Sequence, residues 1–530
     1  MTMKTELITT MISLIFLVHF AITTISPIAH PSSWLFSLLS ISLAVAAAVT
    51  TRRAHSRNNG AAAVAIPGPR GWPLIGSLPA MSGPLAHRRL AALADAHGAR
   101  RLMSLTAGST PVVISSHPET AREILAGAAF ADRPPKAAAR ELMFCRAIGF
   151  APAGAGECGE YWRCLRRAAG AGMLSPRRLA ALGALRARVA DGMVRRVVAA
   201  GQHVAMRALL QRASLESMAG SVLGLEGGDV SEELGEMVRE GYELVGTFNL
   251  GDHYYTTVWG PLMDLWGVGP SCRGLAAMVR GYFGKIIEER RKAGGCHERD
   301  DLLSYMLTLP EDERFEDSDV IALLWEMIFR GVDVVAILLE WTMARIALHP
   351  DIQSKAHKEI VQVVGSRRIT DSDISNLHFL QCIVKETLRM HPPGPLLSWA
   401  RLAVRDTQVG KHVVPAGTTA MVNMWAISHD EAIWGDPWVF RPERFMEEDD
   451  VSVLGSDLRL APFGSGRRVC PGRMMGLSTV QLWLGRLLQE FEWSPPANEP
   501  IKLAECLRLS MEMKQPLVCR AVRRGRGEAA

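Results

Sequence analysis

Charge is missing from the start of this 530-residue chain: between Leu7 and Thr51 there is no Asp, Glu, Lys or Arg. Cysteine is scarce, with 9 residues and no Cys-x-x-Cys pair, which excludes a disulfide scaffold or zinc ribbon and fits a reducing compartment. No repeat of roughly 20–50 residues is visible, so the chain is not a solenoid or propeller array. Basic and acidic residues nearly balance, 59 against 54. The resulting +5 is too mild to argue for a nucleic-acid partner, and none is expected. What is present is ordinary for a globular protein: 48% apolar and 21% charged residues.

The uncharged start predicts a membrane anchor over residues 1–51. A bilayer core needs about 20 apolar residues, and 7–26 is long enough; a second apolar run, 34–49, comes after Pro27 and Pro31. The stretch is too long for the apolar core of a cleaved signal peptide. Arg52, Arg53 and Arg57 then place the remainder of the chain in the cytosol, whether the anchor crosses once or forms a hairpin. Residues 52–73 read as a basic, Pro-rich linker. Its prolines at 67, 69 and 73 deny a helix and make a short, stiff spacer.

Residues 74–519 read as one large, mainly α domain with a minor β region, and 520–530 as a frayed tail. Acidic residues 316–319 should cap a long apolar helix running to Leu348 and stopped by His349-Pro350. A second helix is predicted from Ser375 to Met390. Strand-like runs occur at 111–115 and 413–422, the latter interrupted by Pro415. Residues 288–301 and 447–450 read as solvated loops.

The most informative stretch is Pro462-Phe-Gly-Ser-Gly-Arg-Arg-Val-Cys-Pro-Gly-Arg473. Gly464 and Gly466 allow a tight turn, and Pro471 suits the approach to a helix beginning near Met474. Cys470 therefore lies just before a helix N-terminus, where the dipole and free N–H groups favour a thiolate. The pattern Phe-x-x-Gly-x-Arg-x-Cys-x-Gly, matched from Phe463 to Gly472, resembles the haem-binding loop of the cytochrome P450 superfamily. That resemblance implies haem b (iron protoporphyrin IX) with Cys470 as proximal iron ligand, Phe463 and Gly472 packing at the loop, and Arg468 on a propionate.

Other motifs agree with it. Trp162 and Arg166 match the Trp-x-x-x-Arg helix that would hold a propionate, and Arg401 matches a further propionate contact. Glu386, Arg389 and Arg444 resemble the Glu-x-x-Arg plus Pro-Glu-Arg-Phe set, a buried ion network expected to support the cysteine loop. Gly331-Val-Asp333-Val-Val335 would cross the distal face, with Gly331 leaving room for oxygen and Asp333 relaying protons. Here the chain departs from the pattern: Val334 stands where the family usually has Thr, and valine donates no hydrogen bond.

The stretches 146–152, 324–331, 339–341, 394–402 and 418–426 resemble a plant microsomal subfamily of organ-growth and leaf-initiation regulators. That implies an endoplasmic-reticulum monooxygenase inserting one oxygen atom from O2 into a small lipophilic substrate, with fatty-acid hydroxylation the leading chemistry. Phe329, Val332, Val335, Leu396, Leu397 and the aromatic-rich 248–266 would shape its pocket, and an insertion at 153–158 would lie near the substrate mouth. Electrons would come from NADPH through a membrane-bound flavoprotein reductase docking on Arg163, Arg167, Arg467 and Arg473. Val334 leaves two rivals open: a haem-thiolate isomerase or dehydratase acting on hydroperoxides, and a membrane-held haem-binding protein with impaired turnover.

Overall fold

A computed structural model describes residues 64–525, apart from 74, 155–156, 255–263, 265, 295–299, 398, 448–450 and 498. The predicted anchor and most of the linker lie outside the described residues. Among the described residues no helix is long and apolar enough to cross a membrane. The chain divides into two units, Met1–Ala65 and Ile66–Ala530.

Helices dominate the second unit. The longer ones are α1 (Glu157–Ala169), α2 (Gly183–Ala200), α3 (Met206–Leu223), α4 (Glu232–Gly246), α5 (Val268–Lys292), α6 (Asp317–Leu348), α7 (Pro350–Val364), α8 (His378–Met390) and α9 (Arg473–Glu490). α6 is the axis, 32 residues and so about 48 Å long. Its sequence is apolar on nearly every face, the signature of a helix surrounded by others. Trp325 and Trp341 are fully buried on it, and α3, α5, α8 and α9 pack around it.

The strands are short: β1 (Met103–Ala107), β2 (Thr110–Ser115), β3 (His203–Ala205), β4 (Arg401–Leu402), β5 (Thr407–Val409), β6 (His412–Val414), β7 (Thr419–Val422), β8 (Phe491–Ser494), β9 (Glu505–Leu507), β10 (Met511–Met513) and β11 (Val518–Arg523). The largest sheet has the order β1-β2-β7-β4, with β2 and β7 parallel. β3-β11-β8 forms a second sheet, and β5-β6 and β9-β10 are separate antiparallel pairs. The interruption at Pro415 is real, separating β6 from β7.

Four expectations change. The predicted frayed tail is ordered through Arg523: Arg520–Arg523 pair with β8, and Val518–Arg520 with β3. The end of the linker is no free spacer, because Ser104 donates to the Pro67 carbonyl (2.8 Å) and Trp72 and Gly76 exchange hydrogen bonds (2.9 Å each). A Cβ on Gly68 would sit 1.9 Å from the Ser104 carbonyl oxygen, so Pro67-Gly68 is pressed onto β1. The acidic run does not cap α6 through its side chains; Asp319 instead accepts from Arg146 and from Tyr161 Oη (2.9 Å). Part of the supposed solvated loop is core: Arg290 and Asp301 are buried and paired at 2.8 Å, with Asp301 capping the short helix Leu302–Leu307.

Candidate functional site

The loop before α9 is set by backbone. Gly464 and Gly466 take φ of +70° and +69°, values that glycine adopts without cost. A Cβ on Gly466 would lie 2.3 Å from the Leu125 carbonyl oxygen, so the loop fits closely against the end of the Pro118–Ala126 helix. The Cys470 N–H donates to the Phe463 carbonyl (2.9 Å) and the Val469 N–H to Gly466 (3.0 Å). Gly472 then caps α9, which starts at Arg473, close to the expected position.

Cys470 lines a cavity between this loop and α6, together with Phe463, Arg468 and Gly472 from the loop and Arg166 and Arg401 from elsewhere. The Gly472 N–H, Arg330, Arg166 and Arg473 all favour the thiolate, but burial outweighs them and pushes the thiol up from its ordinary value. The helix terminus alone therefore does not ionise this cysteine. A coordinated metal ion does so outright.

The residues present fit a haem on two counts. First, the rim concentrates cations, with Arg401 and Arg468 buried and Arg166 half-buried. Arg468 donates to the carbonyls of Ala131, Ile148 and Ala151 (2.9, 2.9 and 2.6 Å), Arg166 to Val469 (2.6 Å) and Arg401 to Ser465 (3.3 Å). Among the described residues none of the three has an ion-pair partner. Burial, then mutual repulsion, pushes Arg401 down to about 9, and burial pushes Arg468 down to about 10. Such a cluster calls for anions, and a group with two carboxylates answers it. Second, added Cβ atoms at Gly464, Gly472 and Gly476 would meet nothing within 4 Å, and all three line the cavity, leaving a side-chain-free face beside the sulfur.

Trp162 takes a different part from the one expected. Its indole N–H donates to the Ile148 carbonyl (3.0 Å), while Arg166 and Arg468 lie over its ring at 5.4 and 5.2 Å. It does not line the cavity; it holds the two arginines that do. Of the insertion at 153–158, Ala153 is buried beside Trp162 and its carbonyl accepts from Arg467 (2.8 Å), while 155–156 lie outside the described residues. Arg163, Arg167 and Arg467 are exposed and Arg473 is half-buried.

On α6 the cavity face is Glu326, Met327, Arg330, Gly331, Val334, Val335 and Leu338. Asp333 is not on it. At about 100° per residue it points away from that stripe, toward α3, where Gln211 donates to Oδ1 at 3.2 Å and Oδ2 is buried without a partner. Burial pushes its carboxyl up to about 6. Gly331 is on the face, but its missing side chain first accommodates α3: a Cβ there would lie 2.5 Å from Met218 Sδ. Of the expected pocket residues, Val335 and Leu397 line the cavity. Phe329 instead stacks on Trp325 at 5.4 Å, Val332 is buried in the main core, and Leu396 and Phe248 pack in a separate cluster under β1.

The Glu386 network forms as expected. Arg389 makes two 2.8 Å bonds to Glu386, and Arg444 Nε a third at 3.1 Å. Its remaining donors reach the carbonyls of Ser428, Trp434, Asp436 and Val439, so it braces the chain ahead of the cysteine loop and not the loop itself.

Three charged cavity residues escaped the sequence reading: Arg133, Glu326 and Arg330. The signal for the last two was available, a Glu and an Arg one turn apart inside an otherwise apolar helix.

Comparison with known proteins gives a consistent result. A family model described as "Cytochrome P450" matches residues 66–520. "Cytochrome P450 78A5" from Arabidopsis thaliana is 50% identical over 482 residues, covering 88% of this chain and 90% of that protein. "Cytochrome P450 78A1" from Zea mays is 48% identical over 447 residues, covering 80% of each. "Flavonoid 3'-monooxygenase" from Arabidopsis thaliana is 32% identical over 489 residues, covering 88% of this chain and 92% of that one.

Proposed function

Because the chain belongs to the cytochrome P450 family and is a haem-dependent monooxygenase, we propose that it hydroxylates a fatty acid and thereby makes a plant growth signal. The observation that carries this reading is the cavity beside Cys470, whose α6 wall is aliphatic at Met327, Val334, Val335 and Leu338 and is faced by Leu397. Such a wall takes an alkyl chain.

Bound there, haem supplies reductive activation of O2, chemistry that no side chain of the chain can perform. Cys470 is the residue to ligate its iron, and Arg166, Arg401 and Arg468 would neutralise its carboxylates. Trp162 orients two of those arginines. The aliphatic wall keeps water from the reacting carbon and holds the substrate by burial. Electrons are proposed to arrive from NADPH through a flavoprotein reductase, for which Arg163, Arg167 and Arg467 offer exposed positive charge on the thiolate side. An uncleaved anchor over residues 1–51 would hold the protein on the endoplasmic reticulum, with the catalytic unit in the cytosol.

The test is turnover of medium-chain fatty acids under labelled O2 with the reductase present. One labelled oxygen per hydroxylated product is the expected result. Turnover of a fatty-acid hydroperoxide without NADPH, with no label gained, would replace the reading with isomerase or dehydratase chemistry.

Val334 makes a further prediction. It lines the cavity where a hydroxyl would stand, and Asp333 faces Gln211 instead. Val334→Thr is expected to raise product formed per NADPH consumed by about tenfold, since a positioned proton donor contributes roughly 10²–10⁴ when fully effective. Unchanged coupling would show that this chain delivers protons without position 334.

A further inference from the structure

Five arginines line the cavity, and four of them are held by carbonyl oxygens. Arg133 donates to Gly149, Trp399 and Ala400 (3.0, 2.7 and 3.0 Å), while Arg166 reaches Val469, Arg401 reaches Ser465 and Arg468 reaches three carbonyls of its own. Arg330 differs. Among the described residues its guanidinium makes no hydrogen bond and no ion pair; it lies 5.3 Å from the centre of the Trp399 ring. The Lys136 ammonium also lies 5.7 Å from the centre of that ring, so the indole serves two cations.

Glu326, one turn earlier on α6, does not neutralise it by contact. Its Oε1 accepts from the Gly149 N–H (2.7 Å), and its Oε2 is buried without a partner. Burial pushes the Arg330 guanidinium down from its ordinary value, against the pull of Tyr242, Glu326, Cys470 and Asp333. An interior guanidinium with five unused donors is expensive unless an anion reaches it. Trp399 supplies a rigid flank, and the α6 positions one and two turns on, Val334 and Leu338, are aliphatic. A charged head followed by an apolar strip describes a molecule with an anionic end and an alkyl body.

We propose that Arg330 recognises the carboxylate of the lipophilic substrate, fixing its head beside Trp399 while the chain lies along Val334 and Leu338. The planar fork of a guanidinium pairs a carboxylate through two parallel bonds, which an alcohol or ester cannot match. The inference rests on the fatty-acid reading of the site and gives it a determinant of specificity.

The experiment uses the full chain, loaded with haem in membranes, and equilibrium binding of radiolabelled dodecanoate and of methyl dodecanoate. The native protein should bind the acid more tightly than the ester. Arg330→Gln should weaken dodecanoate binding by about 10- to 100-fold, leave the ester unchanged and leave haem content unchanged. Arg330→Lys should recover part of the loss. Equal weakening of acid and ester, or loss of haem from Arg330→Gln, would assign Arg330 to packing or to the cofactor and overturn the inference alone. A native protein that binds neither ligand and oxidises no fatty acid of any length would overturn the functional reading and this inference with it.

Discussion

Cys470→Ser folds and loses all turnover. The first half of that result rests on how little the sulfur does for the loop. The turn is made by Gly464 and Gly466, by the Cys470 N–H on the Phe463 carbonyl, and by close backbone contact with Leu125 and Ala126. Serine keeps every one of these and is slightly smaller. The second half rests on the ligand chemistry. A serine hydroxyl is a poor donor to haem iron and lacks the electron push of a thiolate. Changes in residues behind a metal ligand already cost roughly 10–100-fold, so replacing the ligand itself should cost far more. The check is the reduced carbon-monoxide spectrum together with circular dichroism. Native-like helicity with the thiolate-type band gone is the expected pair. Cys164→Ser is the control, since Cys164 lies half-buried on α1 and does not line the cavity. A serine variant that kept the band would mean that another group binds the iron.

The parts of this site that could be read from sequence are the parts written contiguously. The ten residues from Phe463 to Gly472 carry their own turn geometry, and α6 announces itself by length and by the Pro350 just beyond it. What stayed hidden depends on partners distant along the chain. The strand at 518–523 is recognisable only beside β8 and β3, because its neighbours in the sheet lie as far off as His203. The side-chain direction of Asp333 was equally hidden. In a helix apolar all round, periodicity does not say which stripe faces the cavity, and α3 decides the matter by placing Gln211 and Met218 against it. Arg330 was visible as a lone cation in an apolar run, but its meaning comes from Trp399, 69 positions later and supplied by the turn after α8.

Glu386→Gln is expected to destabilise the protein by about 3–5 kcal/mol, the usual cost of stranding buried charge and a large part of the roughly 5–15 kcal/mol that holds a typical protein folded. Glu386 and Arg389 are 0% exposed and Arg444 is 5% exposed. One carboxylate thus serves two guanidiniums by direct bonds, and a third by its field. Burial pushes Arg345 of α6 down to about 10, with Glu386 pulling it back up. Arg345 donates to His391 Nε2 (3.0 Å), and that imidazole stacks on Trp341 at 3.9 Å. Removing the negative charge therefore leaves three cations in one buried space, strains the contact between α6 and α8, and frees the Trp434–Val439 carbonyls that Arg444 gathers. The consequence should appear as a lower urea midpoint and faster haem loss, with no change in substrate preference in the protein that survives. If Glu386→Gln alone stayed within about 1 kcal/mol of the native chain, the carbonyls of Ser428, Trp434 and Val439 would have to be sufficient counter-charge for the arginines, and the network would be a packing device and not an electrostatic one.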